Sequence, residues 1–198
     1  MREKFLQAVA QLEYEDRVFQ AALSSKVMMA TSLETWAVAR EVAEKLYELI
    51  NTYKPQTIIE IGTSLGYSTI WMAEAAREYG GKIITVEHEE TKIKKTQELF
   101  DYLELQDTVK LVHQDAKEFL ENYKNKIDFL FLDALKRDYI EYIQLAEKNL
   151  SAHALVVADD VTTWKRKVEN FLQHMQSEKY ESEILSLGHG LLIAKKTK

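Results

Sequence analysis

Apolar and polar positions follow two different periods along this chain. Five short runs are dense in branched and aliphatic residues, at 57–61 (TIIEI), 82–87 (KIITVE), 109–113 (VKLVH), 128–132 (DFLFL) and 153–158 (HALVVA). Their length and their Val, Ile and Phe content predict strands, and the near-continuous apolar ones suit strands covered on both faces. Between them the period lengthens to that of helices, at about 67–79, 91–105, 116–123, 138–150 and 162–177. Ahead of the first strand, Trp36, Ala39, Ala43, Leu46 and Ile50 recur on one helical face. Thr31 and Glu34 stand before that helix as a capping box, and Pro55 blocks its continuation. Tyr180–Leu187 and Gly190–Lys195 read as a hairpin through LGHG. Alternating strands and helices predict an α/β fold. No Pro/Gly-rich linker or repeat interrupts the pattern, which predicts one domain over 1–198, with N-terminal helices over 1–52 and the sheet core over 53–198.

The first strand ends in a turn that can receive a nucleotide. After Glu60, Gly62 and Gly66 bracket three residues, so the backbone can turn sharply and approach a ligand without Cβ clashes, and a helix beginning at Tyr67 aims its N-terminus at that ligand. The second strand ends in Glu87, about 20 residues on, where Rossmann-like folds place the carboxylate that accepts from ribose hydroxyls. Ser64 occupies the middle glycine position of the dehydrogenase fingerprint, and a pyrophosphate would be poorly served there.

Six ordered segments carry a family likeness: EIGTSLGYST (60–69), ITVEH (84–88), VKLVHQDA (109–116), IDFLFLDALKRDYIEY (127–142), ALVVADDV (154–161) and GHGLLIAKK (188–196). In this order the chain resembles the small class I S-adenosylmethionine-dependent O-methyltransferases of the catechol and caffeoyl-CoA type, over roughly residues 29–195. The resemblance implies a Rossmann-like seven-stranded sheet, mostly parallel and closed by a C-terminal antiparallel pair, with helices on both of its faces. It also implies that S-adenosylmethionine lies against Gly62, Thr63, Ser64, Gly66, Tyr67 and Ser68, over Glu60, with Ser68 near its carboxylate. Glu87 would take the ribose, the backbone of His88 the adenine, and Asp115 with Ala116 the adenine edge. Asp115 and Glu118 also make a capping box for the next helix, and the two roles are compatible. Met29 and Thr31 match the segment that folds over the cofactor as a lid.

At the ends of the fourth and fifth strands, Asp133, Asp159 and Asp160 would form an all-oxygen site suited to Mg²⁺ or another divalent cation. The family carries Asn where Asp160 stands, so this chain keeps the oxygen ligand and adds a charge. Asp160 has a second reading, as N-cap of the helix bearing Trp164, Val168, Phe171, Leu172 and Met175. Lys136, three residues after Asp133, matches the family's general base. Asp133 and Lys136 are therefore the candidate catalytic pair. The run VTTWKRKVENF is expected to enter a helix directly after Asp160, without the family's longer substrate loop, which argues against a bulky acyl-CoA acceptor.

Composition narrows the classes. The chain has 198 residues, 46% of them hydrophobic, no Cys and a formal charge of −6. Disulfides, thiolate nucleophiles and Cys-based zinc sites are excluded, leaving oxygen and nitrogen ligands for a metal. No apolar run is long enough to cross a membrane, and the acid-containing start MREKFLQAVAQLEYEDR is unlike a targeting peptide, so a cytoplasmic enzyme with a small-molecule acceptor and no membrane partner is expected. A homodimer is left open. Relatives of this fold methylate modified wobble uridine in tRNA, an alternative acceptor that the acidic balance disfavours. Lys92, Lys94 and Lys95, and Lys165, Arg166 and Lys167, are read as solvated helix faces. A metal-independent transferase, or a non-catalytic nucleotide-binding module, would keep the turn without the acidic cluster's chemistry.

Overall fold

The computed structural model describes residues 2–24 and 35–197, and Met29, Thr31 and Glu34 lie outside the described residues. In chain order the elements are α1 (Arg2–Ser24), α2 (Arg40–Tyr53), β1 (Thr57–Ile61), α3 (Tyr67–Ala76), β2 (Lys82–Glu87), α4 (Glu90–Tyr102) and β3 (Val109–His113). They continue with α5 (Ala116–Asn122), β4 (Ile127–Leu132), α6 (Tyr139–Ala146), β5 (Leu150–Ala158), α7 (Glu169–Met175), β6 (Tyr180–Leu185) and β7 (Leu191–Lys196). Seven strands form one sheet in the order β3-β2-β1-β4-β5-β7-β6. The first five are parallel, and β7 enters antiparallel between β5 and β6. This is the mostly parallel seven-stranded sheet with an antiparallel C-terminal pair that the sequence led us to expect.

Strand alternation divides the core into two layers. Ile58, Phe129, Phe131, Leu155 and Val157 face α2, α3 and the apolar side of α1. Ile59, Ile61, Leu130, Leu132 and Val156 face α6 and α7. All ten of these strand side chains are inaccessible to solvent or nearly so. Each contributes about 1.5–3 kcal/mol relative to an exposed position. α3 is buried on almost every side, as befits a helix wedged between sheet and helices. Among the described residues no helix is long and apolar enough to cross a membrane.

Two helix boundaries depart from expectation. α2 starts at Arg40, so Trp36 and Ala39 precede it, in an extended segment held to α1 by the Thr35 hydroxyl on Asp16 (2.9 Å) and by an edge-to-face Phe19–Trp36 pair. Tertiary contacts here override a periodicity that cannot tell a helix from the strand of chain leading into it. The helix expected over 162–177 is α7 alone, and residues 161–168 run as successive turns. Asp160 has φ +63°, a left-handed conformation that breaks helical direction at the expected cap, and Val161, Thr162 and Thr163 give their amides to the carbonyls of His189 and Gly190. Asp160 is therefore not the N-cap of α7; Val168 holds that position. A loop does follow Asp160, contrary to the direct entry into a helix read from the sequence.

The sheet reverses its strand order between β1 and β4, which is where open α/β sheets receive ligands. At that crevice Gly62 has φ +101°, and a Cβ built on it would stand 2.0 Å from the Asp133 carbonyl oxygen. Gly62→Ala should therefore destabilise the protein by about 1–3 kcal/mol, the scale of a strained backbone position. Denaturant titration checks it, and an unchanged midpoint at unchanged slope would show that the crevice yields without cost.

Candidate active site

β1, β2, β4 and β5 deliver five carboxylates to one end of the sheet, and their surroundings give them different states. Glu60 is completely buried at the end of β1. It accepts from the hydroxyls of Ser68 (2.5 Å), Thr69 (2.5 Å) and Thr85 (2.6 Å), and Thr85 shares a 2.5 Å bond with Thr63. Burial pushes its pKa up from 4.5 to about 7, against the three hydroxyls, which favour the anion. Glu87, at the end of β2, is also buried. Its Oε2 accepts from the Ser64 amide (2.9 Å) and its Oε1 from the amides of His88 and Glu89 (2.9 Å each). These bonds fix the carboxylate beside the glycine turn.

That turn is shaped by three left-handed residues, Gly62, Ser64 and Gly66. It lines a narrow cleft, partly open to solvent, that also includes Tyr67, Ser68 and Asp133. Its opposite wall is Leu12 of α1 and the extended residues Thr35–Val38. Tyr67 closes the back by donating to Glu13 of α1 at 2.7 Å. The sequence pattern pointed to none of the α1 contributors, because periodicity shows that a helix has an apolar face but not what the face covers. Thr85 is a different omission: a polar residue in the middle of KIITVE was a signal. His88 directs its side chain largely to solvent, and its carbonyl receives His113 Nε2 at 3.1 Å. Asp115 accepts from the amides of Lys117 (2.9 Å) and Glu118 (3.1 Å) as the cap of α5, the structural half of its expected role. Asp115 and its neighbour Ala116 do not line the cleft.

Asp133, Asp159 and Asp160 converge as expected, with one carboxylate oxygen from each lying within 4.8 Å of the others. Lys136 joins them, its Nζ 2.6 Å from Asp133 and 3.1 Å from Asp160. Burial alone would depress the amine, but the neighbouring carboxylates of Asp133 and Asp160 outweigh it and hold Lys136 well above its ordinary value, as an ammonium. Asp159 shows the opposite imbalance. Burial, then repulsion from Asp133 and Asp160, raises it to about 8, and its buried Oδ1 has no hydrogen-bond partner. A desolvated acceptor with nothing to accept from is costly. With all three acids ionised, one ammonium leaves two negative charges uncompensated. Oxygen donors, excess negative charge and an orphaned acceptor all fit a hard divalent cation.

Residues 59–161 match the family described as "Methyltransferase domain". The chain is 32% identical over 154 residues to a catechol O-methyltransferase of Niastella koreensis, covering 76% of this chain and 68% of that protein. This chain is a class I methyltransferase. It is 28% identical over 148 residues to a catechol O-methyltransferase of Mycobacterium tuberculosis, covering 74% of this chain and 66%, just under two thirds, of that protein. The fold matches the S-adenosylhomocysteine-bound methyltransferase PaMTH1 of Podospora anserina with a TM-score of 0.79 at 20% identity, over 96% of this chain and 88% of that one. The methyltransferase belongs with the S-adenosylmethionine-dependent O-methyltransferases, and its glycine turn, Glu87 and the Asp133–Lys136 loop lie within the matched residues.

The raised pKa of Glu60 has a consequence for the ligand-free methyltransferase. Between about 4.5 and 7 the folded state keeps a proton that the unfolded state has released, so folding stability falls as pH rises through this window. Thermal midpoints measured from pH 4.5 to 8 should therefore drop less for Glu60→Gln than for the parent chain. Parallel curves would show that Glu60 titrates alike in both states.

Proposed function

We propose that this methyltransferase transfers the methyl group of S-adenosylmethionine to a hydroxyl of a small aromatic diol or related metabolite, assisted by a divalent cation at Asp133, Asp159 and Asp160. The carrying observation is the Asp133–Lys136–Asp159–Asp160 constellation at the edge of a glycine-turn cleft. The catechol O-methyltransferases named above support the acceptor class, and the S-adenosylhomocysteine-bound neighbour supports the cofactor.

The chain's own groups divide the work. The Gly62–Gly66 backbone and Ser68 receive the methionine part, and Glu87, held by three amides, accepts from the ribose hydroxyls. Ser64 Oγ is buried without a hydrogen-bond partner, which supports a contact from it to the cofactor. The sulfonium methyl is already electrophilic, so what remains is to align an oxygen with the S–CH₃ bond and to remove its proton. Held by Asp133, Asp159 and Asp160, a divalent cation would supply positive charge that acidifies the acceptor hydroxyl and favours release of the Lys136 ammonium proton to solvent. Lys136 Nζ, once neutral, would take the hydroxyl proton. Asp160, in place of the family's Asn, moderates this by adding an anion.

One observation favours a second acceptor class. Trp164, Lys165, Arg166 and Lys167 are exposed in the turns that follow Asp160, with Lys167 Nζ 3.9 Å from the Trp164 ring centroid. A cationic loop with an aromatic face beside the reaction site suits a nucleic-acid acceptor, although the net charge of −6 opposes it.

Methyl transfer from labelled cofactor to catechol and to tRNA decides between the two. Transfer to catechol should vanish in excess chelator and return with Mg²⁺ or Mn²⁺. Activity that survives chelation would reduce the acidic cluster to proton chemistry, and transfer to tRNA alone would replace the acceptor. Lys136→Met should lower kcat on catechol by about 10²–10⁴, the range for loss of a positioned base, with cofactor affinity kept. Near-normal kcat in that variant would remove Lys136 from proton transfer.

A further inference from the structure

Tyr139, the first residue of α6, is completely buried against the acidic cluster. Its phenolic oxygen lies 2.9 Å from the carbonyl of Leu132 and 3.2 Å from the carbonyl of Asp159. The first carbonyl belongs to the residue just before Asp133, the second to Asp159 itself, and the two sit on neighbouring strand ends. A phenol has one proton, so the two acceptors share it. One partner would have satisfied a buried tyrosine. Straddling two is a different arrangement, since Leu132 already accepts from the Asp159 amide at 3.1 Å. The ring is wedged edge-on against Phe171 of α7, centroids 5.4 Å apart. Lys136 Nζ lies 5.4 Å from the ring centroid, within cation–π range. One side chain thus touches the backbone of two of the acids' strand ends and the lysine between them.

We infer that Tyr139 is a positioning residue for the cation site: its hydroxyl ties the ends of β4 and β5 so that Asp133 and Asp159 keep the spacing that a single cation requires, and its ring steadies Lys136. The inference rests on the cation site proposed above. Each carboxylate is one methylene from its backbone, so the separation of the strand ends limits how far apart the ligands can stand. Groups that orient metal ligands from outside carry a large share of metal affinity.

Mn²⁺ binding to the full chain, followed by the loss of the free-ion electron paramagnetic resonance signal, tests this without any acceptor present. Tyr139→Phe keeps the ring and loses the tether. It should weaken Mn²⁺ binding by about tenfold, the lower end for loss of such an outer partner, while S-adenosylhomocysteine affinity stays within about twofold by calorimetry. Phe129→Leu, in the opposite core layer, serves as the control for general loss of stability. It should lower the thermal midpoint and leave Mn²⁺ affinity in place. Equal Mn²⁺ affinity in the parent and Tyr139→Phe, or an equal loss in both variants, would overturn the tether. If the parent chain binds no Mn²⁺, the cation site itself fails and the tether falls with it.

Discussion

Gly62 lies so close to the Asp133 carbonyl that no side chain fits between them, and the rest of the site depends on that approach. It closes the crevice where the strand order reverses, so the glycine turn after β1 and the loop after β4 share one cleft. In the function proposed here the cofactor half of the site is the turn and Glu87, and the reacting half Asp133 and Lys136. A wider separation would leave two sites that could not exchange a methyl group. The amide of Asp133 completes the junction by donating to Ile61 at 2.9 Å.

Around that junction the fold holds charges that water does not stabilise. Glu60 is met by three hydroxyls, which oppose but do not cancel the effect of burial, and Glu87 by three amides, so both carboxyls have hydrogen-bond partners in a dry environment. Asp159 has no such provision at Oδ1 and sits against two more carboxylates. Lys136 answers part of that charge and none of the orphaned acceptor. The contrast between satisfied and unsatisfied acids is what supports the proposed division between carboxylates that hold the cofactor and carboxylates that bind a cation.

Asp160 adds strain to the same region. A left-handed aspartate costs free energy that an ordinary strand exit would avoid, and it directs the chain into the 161–168 turns rather than into a helix. The hairpin turn at His189 and Gly190 holds those turns by three backbone bonds, which fit only because Gly190 has no Cβ where Thr162 packs. The C-terminal hairpin thus shapes the mouth of a site whose chemistry is carried by the middle of the chain.

The sequence by itself determined the strands to within a few residues, because β-branched runs bounded by Gly62, Gly66, Gly80 and Gly81 can pair in few other ways. It also marked Glu60, Glu87, Asp133, Asp159 and Asp160 as acids at strand ends, and its resemblance to the family marked Lys136. Helix limits were legible only where no tertiary contact competed, and Trp36 and residues 161–168 were misread because segments elsewhere in the chain claim their backbone or side chains. Tertiary structure alone decided that α1 walls the cleft through Leu12 and holds Tyr67 through Glu13, that Thr85 reaches Glu60, and that Tyr139 bridges two strand ends. Those are contacts between residues far apart in the chain, and local periodicity fixes which face of an element is apolar but not what that face meets.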